Sequence, residues 1–222
     1  MESINIVHTI LNSAFLSNTY IIENKIQKKC VVIDPGLDWK PLEDKIKELS
    51  CKPLAIISTH GHFDHIGSVS LLKNKFDIPF YIHKDDLKLS QSANFYLKLA
   101  KFNLKIETPY PDFTFKGKRE TLKIEDFDFE IYNFPGHSKG SCVINIDKNL
   151  FSGDILYKKG LGFNNFPGEN IIELRKSINC IFETFSPEMM IYPGHGKPEL
   201  LGEIRINNLE LRTFLEGNQS DD

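Results

Sequence analysis

Residues 59–67 read THGHFDHIG, which crowds three of the chain's seven histidines and an aspartate into six consecutive positions. The stretch follows "LAIIS" (54–58), a short apolar run of the kind that forms a buried strand, and it precedes "IGSVSLLKNKF" (66–76), which has helical periodicity. His60 and His62 are two apart in extended chain and face the same side. Asp64 and His65 fall where the chain turns into the helix. The spacing is not that of a helical His-Glu-x-x-His pair.

Three later histidine or aspartate positions repeat this placement. His137 follows "FEIYNFPG", Asp154 follows "NLFSG" and His195 follows "MMIYPG", each just past an apolar strand run. Glycines 61, 67, 136, 153, 194 and 196 flank them and permit tight turns. Strand ends are rigid supports that still reach solvent, as a preorganised site requires. Imidazole and carboxylate suit zinc or iron. Seven such donors exceed one tetrahedral ion and match two, each with an open position; the ions are expected to be zinc, with iron or manganese as alternatives.

The rest of the chain frames these positions. "NTYIIE" (18–23) and "CVVIDPG" (30–36) read as strands, "DWKPLEDKIKELS" (38–50) as a helix, "IPFYIH" (78–83) as a strand and residues 85–102 as one or two helices. The second half restarts with strands over 121–137 and 141–154, then a helix over 170–185, a strand over 189–195 and one last amphipathic helix over 203–217. Two halves with the same strands-then-helix plan imply an α/β fold of two packed sheets with helices outside.

Composition narrows the function. The 222 residues are 41% hydrophobic, with 27 Lys and Arg against 30 Asp and Glu, a net charge of −3. No basic block exists to track a phosphate backbone, so nucleic acid is not the expected partner. No apolar run is long enough to span a bilayer, and residues 1–15 lack the pattern of a secretion signal. Cys30, Cys51, Cys142 and Cys180 are scattered without a Cys-x-x-Cys pair, which suits free thiols in a reducing cytoplasm.

His60-Gly-His62-Phe-Asp64-His65, followed by Gly136-His137, Gly153-Asp154 and Pro193-Gly194-His195-Gly196, resembles the ligand set of the metallo-β-lactamase-fold hydrolases. "NTYII", "VVIDPG", "PGHSKGS", "LFSGDIL" and "YPGHG" are most similar to glyoxalase II and related hydroxyacylglutathione hydrolases. The resemblance implies an αββα four-layer sandwich of two mixed sheets with helices on the outer faces, as a single domain over 1–217 with a disordered tail at 218–222. It also implies His60, His62 and His137 on one metal, Asp64, His65 and His195 on the other, and Asp154 with a hydroxide bridging them. Asp64 and Asp154 would be the catalytic carboxylates. The implied reaction is cleavage of a small acyl thioester, one possibly derived from glutathione. Metal binding lowers the pKa of water to about 7, and a thiol of pKa roughly 8.5 leaves as thiolate without a general acid.

The chain departs from that family in two ways. It ends soon after His195 with no helical domain to hold glutathione, and after Asp154 it reads "ILYKKGLGFNNFPGEN" without the Gly-Arg-x-Asp pattern of many short relatives. Tyr157, Lys158, Lys159, Phe163 and Phe166 are the candidates to line a substrate pocket there. A lactonase or β-lactamase on the same site, a mononuclear-iron sulfur dioxygenase and an inactive metal-binding module are the competing readings. His8 and His83, each isolated, are expected to be satisfied polar residues. Asp34 either supports a ligand or makes an Asp-Pro-Gly turn. Ser138 and Ser141 fit turns better than a nucleophile, and Cys142 fits the core. Nothing in the sequence indicates the oligomeric state.

Overall fold

A computed structural model describes residues 5–163 and 168–217; the expected tail at 218–222 and Phe166 lie outside the described residues. The chain forms two compact units, Met1–Lys116 and Gly117–Asp222.

The first unit holds a six-stranded mixed sheet in sequential order: β1 (Asn5–Leu11), β2 (Asn18–Asn24), β3 (Lys29–Ile33), β4 (Lys52–Ile57), β5 (Phe80–His83) and β6 (Phe113–Phe115). β1 to β3 run antiparallel through short hairpins, and β3 to β6 run parallel. Parallel neighbours need crossovers, and these are helices. α1 (Trp39–Leu49) joins β3 to β4, α2 (Phe63–Ile66) and α3 (Val69–Phe76) join β4 to β5, and α4 (Leu87–Gln91) and α5 (Ala93–Leu99) lie before β6. Leu42 and Ile46 of α1, Val69 and Leu72 of α3, and Ala93 and Leu97 of α5 pack with Ile21, Val32, Ile56, Phe80 and Ile82 in one core. All seven residues of β2 are buried. The β-branched runs that made these strands legible without strict alternation are therefore buried on both faces.

The second unit repeats the plan with a second mixed sheet: β7 (Arg119–Ile124), β8 (Phe127–Asn133), β9 (Cys142–Ile146), β10 (Asn149–Gly153), β11 (Met190–Pro193) and β12 (Glu199–Leu200). β10 and β11 are its parallel pair, and α6 (Ile171–Thr184) is the crossover between them. Leu174, Ile178 and Ile181 of α6 pack on Val143, Leu150 and Ile191. The Asn170 side chain caps α6 by accepting from the N–H groups of Ile172 and Glu173.

The last helix is not continuous. The periodic pattern over 203–217 predicts one helix, and the structure has two, α7 (Leu201–Asn207) and α8 (Leu209–Glu216). Asn208 interrupts them. Its Oδ1 accepts from Leu211 N–H to cap α8, and its Nδ2 donates to the carbonyls of Tyr157 and Gly160. Among the described residues no helix is long and apolar enough to cross a membrane.

Candidate metal centre

In the first unit the donor-rich segment is suspended between two buried carboxylates. Asp34 stands just past β3 with φ 49°, a left-handed conformation that Asp tolerates. Its Oδ1 accepts from Thr59 N–H at 2.7 Å, and its Oδ2 accepts from the Thr59 hydroxyl at 2.7 Å. The same Oδ2 lies 3.1 Å from His65 Nδ1. From the other side, Asp86 Oδ2 accepts from Gly61 N–H at 2.9 Å. The Ser17 hydroxyl donates to the Asp64 carbonyl at 2.8 Å.

These bonds settle the tautomers. An ionised carboxylate only accepts, so His65 donates its Nδ1 proton to Asp34. The Thr59 hydroxyl spends its proton on Asp34 and must accept from His60 Nδ1, 3.1 Å away. Both rings therefore turn a lone pair at Nε2 away from their supports, the arrangement that orients metal-binding histidines. His60 Nε2 lies 3.0 Å from His62 Nδ1, close to the roughly 3.3 Å that separates two ligands of a tetrahedral zinc with bonds of about 2.05 Å. Asp64 Oδ2 lies 3.7 Å from His65 Nε2. Asp34, His60 and His65 each offer a ligand atom within 4.8 Å of the others, but Asp34 is engaged by Thr59 and His65 and acts as their support.

In the second unit His137 Nδ1 donates to the Gly162 carbonyl at 2.8 Å, and Glu169 Oε1 lies 3.3 Å from the same nitrogen. Its Nε2 faces Asp154 Oδ2 at 3.5 Å, and His195 Nε2 faces that same oxygen at 3.4 Å. Asp154 thus stands between two imidazoles. Burial opposes charge on His137, yet Glu169, Asp154 and the Gly162 carbonyl outweigh it and raise the pKa. A potential that favours an imidazolium favours any cation in its place.

Two glycines make this half possible. A Cβ on Gly162 would fall 1.5 Å from the Asp154 carbonyl oxygen, so only glycine lets this loop press on Asp154 while binding His137. Gly136, at φ 144°, would place a Cβ 2.3 Å from the backbone of Leu174. The Gly194 N–H donates to Gly153 O at 2.8 Å and fastens the Asp154 and His195 turns together.

Four candidate donors, His60, His62, Asp64 and His65, thus gather in the first unit, and three, His137, Asp154 and His195, in the second. Their donor types and lone-pair directions fit divalent cations. Of the residues expected to line a pocket, Tyr157 sets its ring 6.0 Å from that of His195. Lys158 pairs with Glu199 at 2.6 Å, Lys159 is exposed, and Phe163 packs against the core of the second unit. His8 bonds Glu23 at 2.7 Å, and buried His83 accepts from Asp85 N–H. Ser138 and Ser141 bond each other within a turn, and Cys142 is buried. Sequence reasoning left the role of Asp34 open and did not single out Thr59, Asp86, Gly162 or Glu169. Their contacts span up to 32 residues in the chain, beyond the reach of a local pattern.

The model of the Metallo-beta-lactamase superfamily matches residues 13–202. The hydroxyacylglutathione hydrolase GloC of Haemophilus influenzae is 30% identical over 200 residues, spanning 88% of this chain and 93% of its own length. The crystal structure of the BLEG-1 B3 metallo-β-lactamase aligns with a TM-score of 0.84 at 29% identity, over 93% of this chain and 99% of its own. That of TTHA1623 in a di-iron-bound form aligns with a TM-score of 0.81 at 29% identity, over 91% and 99%.

Proposed function

The chain belongs to the metallo-β-lactamase superfamily, and from that premise we propose that this metal-dependent hydrolase cleaves small acyl thioesters, with a hydroxyacylglutathione as the representative substrate. The observation that carries a two-metal reading is Asp154 Oδ2, 3.5 Å from His137 Nε2 and 3.4 Å from His195 Nε2. A carboxylate oxygen shared by two imidazoles is placed to be shared by the ions those imidazoles hold. We assign His60, His62 and His137 to one ion and Asp64, His65 and His195 to the other, with Asp154 as the bridge. Each unit alone has an incomplete set, so residues 1–217 act as one functional domain.

When bound, two such cations supply a nucleophile at neutral pH and an electrophile for the carbonyl oxygen. The chain's own contribution is to fix the ligands: Asp34 and Thr59 hold the Nδ1 protons of His65 and His60, and Gly162 holds that of His137. Thioester cleavage suits this machinery because the thiolate leaves unprotonated. The likeness to GloC supports the choice. Zinc is the proposed metal, and the di-iron form of TTHA1623 makes iron the alternative.

The likeness to BLEG-1 favours β-lactam hydrolysis as a second reading. Its leaving amine needs a proton, which places it behind the thioester. Metal-loaded protein should contain two equivalents of metal by elemental analysis and should hydrolyse S-D-lactoylglutathione with a higher kcat/KM than lactones or β-lactams. At most one equivalent after reconstitution would overturn the two-metal centre. The reverse substrate order would overturn the thioester and leave the centre standing.

A further inference from the structure

The first unit holds two cysteines, and the fold brings their sulfurs together. Cys30 lies on β3 and Cys51 in the two-residue connection between α1 and β4, and their Sγ atoms are 3.0 Å apart. A disulfide bond is ~2.05 Å long, so an approach of about 1 Å separates this contact from a covalent link. The backbone already holds the two residues in place for it. β3 and β4 are parallel neighbours with Cys30 opposite Pro53, and Lys52 N–H, next to Cys51, donates to Lys28 O at 2.8 Å.

The pair stands apart from the candidate metal centre. Both cysteines belong to the apolar core of the first unit. Asp34 and Thr59 follow them by four and eight residues, so the pair joins one end of β3 and β4 while the Asp34–Thr59 bonds join the other. Four residues of strand place Cys30 roughly 13 Å from Asp34.

The two thiols are not equivalent. Cys30 is wholly buried, and Cys51 is 7% exposed beside Ser50, the left-handed residue that ends α1. So narrow an opening suits a small oxidant better than one as large as a glutathione disulfide. When Cys51 ionises, the Cys30 thiol bonds its thiolate and draws the Cys51 pKa below its ordinary value, against burial and Glu23. The interaction with Cys51, together with burial, pushes the Cys30 thiol up. Cys51 is therefore the attacking thiolate and Cys30 the resolving thiol.

We propose that Cys30 and Cys51 are a modification site at which hydrogen peroxide forms a reversible disulfide that closes the α1 crossover and stabilises the first unit. The Cys51 thiolate attacks one peroxide oxygen, the O–O bond breaks, and Cys51 becomes a sulfenic acid as hydroxide leaves. The Cys30 sulfur then attacks the Cys51 sulfur. The S–O bond breaks, and the departing oxygen leaves as water with the Cys30 proton. Two thiols are oxidised, and one peroxide is reduced to two waters. The link joins residues 21 apart in the chain, and it restricts the unfolded crossover more than the folded one.

The test uses the full-length, zinc-loaded protein, since zinc has no redox chemistry of its own. After brief exposure to hydrogen peroxide, remaining thiols are alkylated in denaturant and the peptides are mapped without reductant. Cys30 and Cys51 should appear in one linked pair that dithiothreitol separates, and Tm before reduction should be about 5–10 °C above that of the untreated protein. Cys30→Ser should lose the link and the shift and leave Cys51 reactive to dimedone as a sulfenic acid. Cys51→Ser should lose both and leave Cys30 unlabelled. Exposed Cys180 reports that the oxidant was delivered. Cys30 and Cys51 still open to alkylation after Cys180 has been oxidised would overturn the proposal in the wild-type protein, with no variant needed. A link that leaves Tm unchanged or lower would also overturn it.

Discussion

Asp34 Oδ2 lies 3.1 Å from His65 Nδ1 while the same carboxylate accepts two hydrogen bonds from Thr59, so one buried side chain orients two candidate ligands, His65 directly and His60 through the threonine. Outer carboxylates of this kind are worth 10–100-fold in metal affinity or activity. Asp34→Ala should lose affinity on about that scale in chelator competition. It should also lose on the order of 1–3 kcal/mol of stability by denaturant unfolding, because it strands buried donors. Asp34→Asn, which retains one acceptor, should fall between. Wild-type metal affinity in Asp34→Ala would remove the supporting role.

Asp154→Ala and His83→Ala contrast two buried residues of similar polarity. Asp154 stands between His137 and His195, whereas His83 is occupied with Asp85 N–H at the start of a 3-10 turn. Per folded molecule, Asp154→Ala should lose more than about 100-fold in kcat, as expected when a bridging charge that sets the separation of two cations is removed. His83→Ala should stay near wild type. Equal losses would count against the ligand assignment.

Asn208 does two jobs with one amide, and two substitutions separate them. Asn208→Ala should cost about 1–2 kcal/mol from the lost cap alone, and it also deprives the Tyr157 and Gly160 carbonyls of their donor. Asn208→Asp keeps the cap, loses the donor and sets a carboxylate oxygen against those two carbonyls. Both should speed hydrogen exchange over residues 157–161, and only the alanine should fray α8. Unchanged exchange in both would show that the loop is held by other contacts.

Acid should weaken the polar contact between α1 and α3. Glu43 is bonded by Lys75, Lys47 and Lys40. Their hydrogen bonds, that of Lys75 foremost, hold its pKa at about 2 against an ordinary 4.5. A carboxylate with a depressed folded pKa stabilises the protein above the unfolded value and loses that contribution as pH falls toward the folded one. Glu43→Gln should therefore melt below wild type at pH 7, with the gap closing between pH 4.5 and 2. A gap independent of pH would assign it to packing instead.

The two sheets and the donor positions were legible because they rest on local signals. Short apolar runs closed by turn residues mark β2, β3, β4 and β10, and each of His60, His137, Asp154 and His195 comes one to four residues past the end of a strand, so chain order alone places them at strand ends. β1 escaped notice because an edge strand of mixed burial shows no clean alternation, and β6 and β12 because strands of three and two residues carry no periodicity. The sequence also left undecided what tertiary structure alone settles: whether Asp34 is a turn residue or a support, why Gly162 must be glycine, and where the C-terminal helix breaks. Helical periodicity continues through Asn208, since a 3.6-residue pattern records only which face is apolar. The break is decided by carbonyls of Tyr157 and Gly160, 51 and 48 residues away, which need a donor that only the folded chain brings to them. The turn between β1 and β2, where Phe15 and Leu16 have φ 61° and 54°, is the same case reversed. Local propensity argues against it, and the contacts of Phe15 with Phe63 and Phe102, formed only on folding, hold it in place.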